Sequence, residues 1–195
     1  GSKGPIVSHR FKREDWLPSQ KAFHRACIDA GFPETYDFNN PESHGVGPIP
    51  FNNPDGIRFS SALGYLSHIR HRVNLTIKAE CIVGKLLFDG KSVVGVEVES
   101  GGEKFVVESD RIILSGGTIA NTQLLLLSGI GPKNHLNQLG IKVHTNLQGV
   151  GHNFSDHPLI FITAIVKEGS KLDPIAPRLQ VGLRYTSSDS NDPND

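Results

Sequence analysis

Methionine is absent from this chain, tryptophan occurs once and cysteine only twice in 195 residues. Two cysteines exclude a disulfide framework, and no Cys/His cluster has zinc spacing, so no metal is expected. The 20 Lys and Arg are balanced by 20 Asp and Glu, which removes the electrostatic case for nucleic acid or an anionic membrane. No apolar run approaches the roughly 20 residues needed to cross a bilayer, and the first residues lack the form of a signal peptide. A soluble chain is expected, with nothing to indicate its compartment. What is present is ordinary globular composition, 37% apolar and 21% charged, enough for one domain or two partial ones.

Local patterns organise the chain. Residues 17–31 read as a helix with Ser19 as N-cap, an apolar stripe of Ala22, Phe23, Ala26, Cys27 and Ala30, and Gly31 as its stop. Residues 33–59 are rich in Pro, Gly and Asn and read as a long irregular loop, which in a compact domain is usually functional or lies across a partner surface. Ser60 then caps a helix running to about His71. From residue 73 the period changes to two. Residues 73–79, 80–88, 92–99 and 103–108 are β-rich, and Asp89-Gly90 is a strong hairpin signal because a tight type I′ turn needs positive φ. Residues 80–108 therefore read as a three-stranded antiparallel meander that returns to a buried strand at 111–115. Alternation at Ile160, Ile162, Ala164 and Val166 indicates a further strand, and the polar tail from Ser187 reads as a loop. Cys27 and Cys81 both read as small buried hydrophobes, with a disulfide between them left open.

The most informative segment lies between residues 112 and 158. A short apolar run, Ile112-Ile113-Leu114, stops at Ser115-Gly116-Gly117 and feeds a helix over about 119–127, followed by Ser128-Gly129-Ile130-Gly131-Pro132. A buried strand that stops at small residues before a helix brings backbone close to a nucleotide; the same spacing also fits a plain strand-to-helix turn. The wording of this segment resembles the second signature of the glucose–methanol–choline (GMC) family of FAD-dependent oxidoreductases. The matching residues are Gly117, Gln123 to Leu127, Ser128 to Pro132, and Val150-Gly151-His152-Asn153-Phe154-Ser155-Asp156-His157-Pro158. The chain departs at Asn121-Thr122, where the family usually has Ser or Thr followed by Pro or Ser; Asn and Thr also cap helix starts well. Lys3-Gly4-Pro5-Ile6, Gly45 to Pro50, Asp55 to Ser60, Arg72 to Ile77, Val94 to Val98 and Leu179 to Thr186 extend the similarity, in family order, over nearly the whole chain.

The resemblance implies a mixed α/β fold: part of an FAD-binding fold of the two-dinucleotide-domain type with an inserted antiparallel meander, plus the start of a substrate-domain sheet. It implies a linking segment over 1–71, part of the FAD-binding domain over 72–158 and the substrate-binding domain beginning at 159–195. Val83 sits where the family pairs backbone N–H and C=O with the FAD adenine. Ser115 and Gly116 match the strand end near the ADP half, where missing side chains and a helix N-terminus favour close approach. The Gly-x-Gly-x-x-Gly turn that opens such proteins and the closing catalytic-His segment are both absent. No catalytic residue is therefore expected here, and the chain reads as the middle of a longer enzyme, completed by N- and C-terminal parts. That enzyme is expected to oxidise a small-molecule alcohol. The alternatives are an FAD-containing hydroxynitrile lyase of the same fold, or an inactive standalone fragment. Asp156 and His157 resemble an acid–base pair, but in such a segment they read as a buried hydrogen-bonding network that fixes a loop. Arg58 fits either an anchor beneath an active site or a plain salt bridge.

Overall fold

A computed structural model describes residues 4–165, 167–169 and 175–191; Lys3, Val166 and the end of the tail from Asp192 lie outside them. In chain order the elements are α1 (Pro18–Asp29), β1 (Gly45–Pro48), α2 (Ser61–Gly64), β2 (Ile82–Asp89), β3 (Ser92–Ser100), β4 (Glu103–Glu108), α3 (Gly117–Leu127), β5 (Ile130–Gly131), α4 (Lys133–Gln138), β6 (Thr145–Asn146) and β7 (Val181–Arg184). They fall into two compact units, Gly1–Leu75 with Ile165–Asp195, and Thr76–Ala164.

In the first unit α1 starts at Pro18, whose fixed φ suits the first helical position. Ser19 is thus inside the helix rather than its N-cap. The N-terminus is held instead by Gln180, whose Oε1 accepts the Leu17 N–H at 2.7 Å. The expected apolar stripe also shifts. His24 and Cys27 are the buried residues of α1, while Phe23 is exposed. The reason is the core they meet: Cys27 packs with Trp16, Val46 and Val181, flanked by Phe11, Phe32 and Leu183. His24 is drawn in by polar partners, contacting Arg13 at 3.0 Å through Nδ1 and Glu34 at 3.1 Å through Nε2.

The stretch expected to be irregular over 33–59 contains a strand. β1 pairs antiparallel with β7, from Gly45 opposite Arg184 to Pro48 opposite Val181. Its partner is distant in sequence and its Gly-Val-Gly-Pro lacks alternation, so local pattern does not reveal it. Its glycines answer to close approach: a Cβ at Gly47 would sit 1.8 Å from the Thr35 carbonyl oxygen. Ser60 does cap α2, accepting the Leu63 N–H at 3.4 Å. The helix ends at Gly64, however, and only a short 3₁₀ turn, Leu66–His68, follows.

The second unit is built on the meander β2-β3-β4. Asp89 faces Ser92 across the first hairpin, with Gly90 at φ 55°, and Ser100 faces Glu103 across the second, with Gly101 and Gly102 at positive φ. β2 is an edge strand, with register shifts at Gly84 and between Leu87 and Phe88. α3 packs on β2 and leads into the two-residue parallel pair β5–β6, where Ile130 lies opposite Thr145. Leu136 of α4 is fully buried. Ser128 pins the end of α3 to the sheet: its Oγ accepts the Leu86 N–H at 2.9 Å and donates to the Leu124 carbonyl at 2.6 Å.

Three expected strands do not form. Residues 73–79, 111–115 and 159–165 pair with nothing among the described residues. A strand needs a neighbour for its backbone groups, and composition cannot supply one. Ile113 is 88% exposed and Ile162 is 96% exposed, so residues with the composition of buried strands here stand uncovered.

Candidate functional site

The start of β2, the extended segment 112–116 and one side of α3 between Ala120 and Leu127 border a cleft of about 600 Å³. Val83, Ser115 and Gly116 all line it, together with Cys81, Val96, Asn121 and Leu124 among others. Val83 and the adjacent pair Ser115-Gly116, 32 positions further along the chain, are therefore brought into one site. None of the fourteen lining residues is charged. The walls are aliphatic, and the polar groups are Cys81, Ser115, Asn121, Gln123 and backbone. A larger open hollow of about 750 Å³ in the other unit carries charges of both signs, including Arg13, Glu14, Lys21 and Asp29, and has no single character to select a ligand.

Each wall of the cleft has a local cause. Val83 is 41% exposed because β2 is an edge strand and Gly84 interrupts the register beside it. Gly116 precedes α3 and Gly117 begins it at φ 83°, a left-handed conformation that glycine adopts without strain. The Asn121-Thr122 departure is not a helix cap, as the sequence implied: both residues lie inside α3. Asn121 reaches back toward the strand end, accepting the Gly116 N–H at 2.9 Å and donating to the Leu114 carbonyl at 3.4 Å. Thr122 merely donates to the Thr118 carbonyl at 2.8 Å. Sequence reading missed Asn121 as a cleft residue, although its departure from the family pattern marked it. It also missed Cys81, whose thiol donates to the Ala79 carbonyl at 3.4 Å.

Other expectations fare differently. Cys27 and Cys81 are both free thiols, and Cys81 is only half-buried. Burial pushes the Cys27 thiol above its ordinary pKa. Asp156 and His157 are exposed, and the Asp156 carboxylate accepts the neighbouring His157 backbone N–H at 2.8 Å. They form no buried network among the described residues, because residues 151–165 are all exposed. Among the described residues no helix is long and apolar enough to cross a membrane.

An uncharged, glycine-edged cleft beside an exposed strand edge has the mostly apolar, concave lining of a small-molecule or cofactor site. The GMC oxidoreductase family model matches residues 6–159, and the chain belongs to that family. It is 36% identical over 188 residues to an oxygen-dependent choline dehydrogenase of Staphylococcus saprophyticus, covering 95% of this chain and 33% of that protein. The structure is similar to pyridoxine 4-oxidase from Mesorbium loti, with a TM-score of 0.71 and 31% identity over 75% of this chain and 29% of that one. It is also similar to an FAD-dependent oxidoreductase from Chaetomium thermophilum, with a TM-score of 0.68 and 28% identity over 75% of this chain and 26% of that one. The chain spans about a third of the length of the curated relatives it matches. FAD is the cofactor of this flavoprotein family. The cleft fits one part of it: aliphatic walls suit a flat neutral base, whereas no charged side chain in the lining would neutralise a pyrophosphate.

Proposed function

We propose that this chain supplies the adenosine side of the FAD site in an enzyme that oxidises a small-molecule alcohol, and that Val83, Ser115 and Gly116 hold that end of the cofactor. The observation that carries the reading is their convergence on one uncharged cleft. β2 adds a specific means of recognition. Leu86 directs its N–H away from β3, to Ser128. Counting back along the strand, with Gly84 as the extra residue of the bulge, puts the Val83 N–H and C=O in the same outward row. One donor and one acceptor side by side match the edge of an adenine ring. Ser115 and Gly116 provide close backbone approach at the N-terminal end of α3, and Leu124 and Val96 supply apolar contact.

Bound FAD supplies the acceptor for the hydride leaving the alcohol carbon. The residues of this chain bind and orient it; none of them is assigned an acid–base role, and the proton-handling groups belong to the remaining N- and C-terminal parts of the same enzyme. The first unit, with its β1–β7 sheet, is the substrate-side portion. The relatives named as choline dehydrogenases make choline the first alcohol to try.

The test is the visible spectrum of the full-length enzyme. Oxidised flavin bands that bleach on anaerobic addition of an alcohol support the reading. Flavin that stays oxidised with every alcohol while a hydroxynitrile is cleaved would replace it with a lyase. A folded full-length protein that takes up no FAD would refute the cofactor site itself.

A further inference from the structure

We propose that Asn121 is a positioning residue of the cleft: its side-chain amide grips the backbone on both sides of Ser115 and presents that residue to the adenosine half of the cofactor. The inference rests on the reading of the cleft given above. Asn121 Oδ1 takes the Gly116 N–H at 2.9 Å and Nδ2 gives to the Leu114 carbonyl at 3.4 Å. Two backbone groups that would otherwise face the ligand or water are thereby satisfied within the chain, and Ser115 between them is left to the cleft. The clamp matters because residues 111–116 pair with no strand among the described residues. Without a ladder to fix it, the strand end owes its placement to α3, and Asn121 is the side chain that makes the connection. Gly116 is shaped to admit it: a Cβ there would lie 3.0 Å from Asn121 Oδ1 and 3.5 Å from the Ala120 Cβ. Asn121 is half-buried and itself lines the cleft, so the clamp and the ligand surface are one structure. Thr122, the next residue, bonds only within its own helix and serves as the control.

The experiment measures FAD, ADP and FMN affinity of the full-length apoenzyme, with amide hydrogen exchange at Gly116 and the apoprotein melting temperature. Asn121→Ala should weaken FAD and ADP alike by about tenfold, the order expected for one hydrogen-bonded anchor. Gly116 exchange should accelerate and the melting temperature should fall slightly, while FMN affinity stays at the wild-type value. Thr122→Ala should change neither FAD nor ADP affinity. A purely structural role predicts a lowered melting temperature with ADP affinity intact, and that result would overturn the proposal. If Asn121→Ala does not fold, Asn121→Asp keeps the acceptor for Gly116 and loses the donor to Leu114. Weakened binding of uncharged adenosine with Gly116 still protected then supports the clamp, and wild-type adenosine affinity overturns it. A wild-type apoenzyme that binds neither FAD nor ADP refutes the reading of the cleft, a result distinct from the failure of Asn121 alone.

Discussion

Replacing Ser128 with alanine removes one oxygen and should loosen the link between the sheet and α3. Ser128 is 4% exposed, and its Oγ is the acceptor for the N–H of Leu86, the one buried residue of β2. The Leu124 carbonyl loses little, because the Ser128 backbone N–H still reaches it at 3.1 Å. The cost therefore falls on Leu86, whose donor is left buried and unpaired at about 1–3 kcal/mol. Leu86 lies three residues from Val83, so β2 should open locally before the unit unfolds. Under conditions where reclosing is faster than chemical exchange from the open state, that energy corresponds to about 5- to 150-fold faster hydrogen exchange at the Leu86 amide. Amides of β4, two strands away, should change much less. Ser128→Thr, which keeps the hydroxyl, should retain most of the protection. Equal Leu86 exchange in Ser128→Ala and wild type would refute the argument that this hydroxyl holds β2 to the helix.

Gln180 is 2% exposed and bonds the Leu17 N–H through Oε1 and the Asp15 carbonyl through Nε2; Gln180→Leu should destabilise the first unit by about 1–3 kcal/mol in chemical denaturation. Gly129 sits at φ 80° with its would-be Cβ 2.3 Å from the Lys142 carbonyl oxygen, so Gly129→Ala should cost at least about 2 kcal/mol and separate β5 from β6. Because burial raises the Cys27 pKa in the folded chain, its stabilising contribution is complete below the ordinary thiol value of 9.0 and is lost as pH rises through the folded value. Stability measured above pH 9.0 should therefore fall more steeply for wild type than for Cys27→Ala. Cys81 lines the cleft while Cys27 is buried; iodoacetamide should label Cys81 first, mass spectrometry should find that FAD slows it, and equal labelling with and without FAD would count against the proposed occupant.

Signals carried by neighbouring residues were legible in the sequence. Gly90 and Gly101-Gly102 turn the chain at positive φ, although the first loop is Gly90-Lys91, with Asp89 paired to Ser92 and only Gly90 at positive φ, so it is not the expected type I′ turn over Asp89-Gly90; the meander forms over nearly the expected residues. Ser60 caps the helix it precedes. What required a distant partner was not legible. β1 exists because β7 lies beside it, and nothing in Gly45 to Pro48 points to Val181. The opposite error has the same origin: residues 111–115 and 159–165 have strand composition but no neighbour among the described residues, and composition alone cannot pair a backbone. Family wording carried the site further than pattern could, since Val83 reads as an ordinary strand valine until it is placed across from Ser115.

If the cleft takes the cofactor as proposed, its uncharged lining divides the work of holding it. Aliphatic walls and backbone edges favour a neutral base, because they supply dispersion and directional hydrogen bonds without a field. A pyrophosphate in the same position would meet only the partial positive charge at the start of α3, and one donor there, the Gly116 N–H, is already taken by Asn121. The groups that neutralise phosphate must therefore come from elsewhere than this lining. In the role proposed for it the cleft grips one end of the dinucleotide, and that role depends on two small features: the bulge at Gly84 in β2, and the amide that holds the backbone around Ser115.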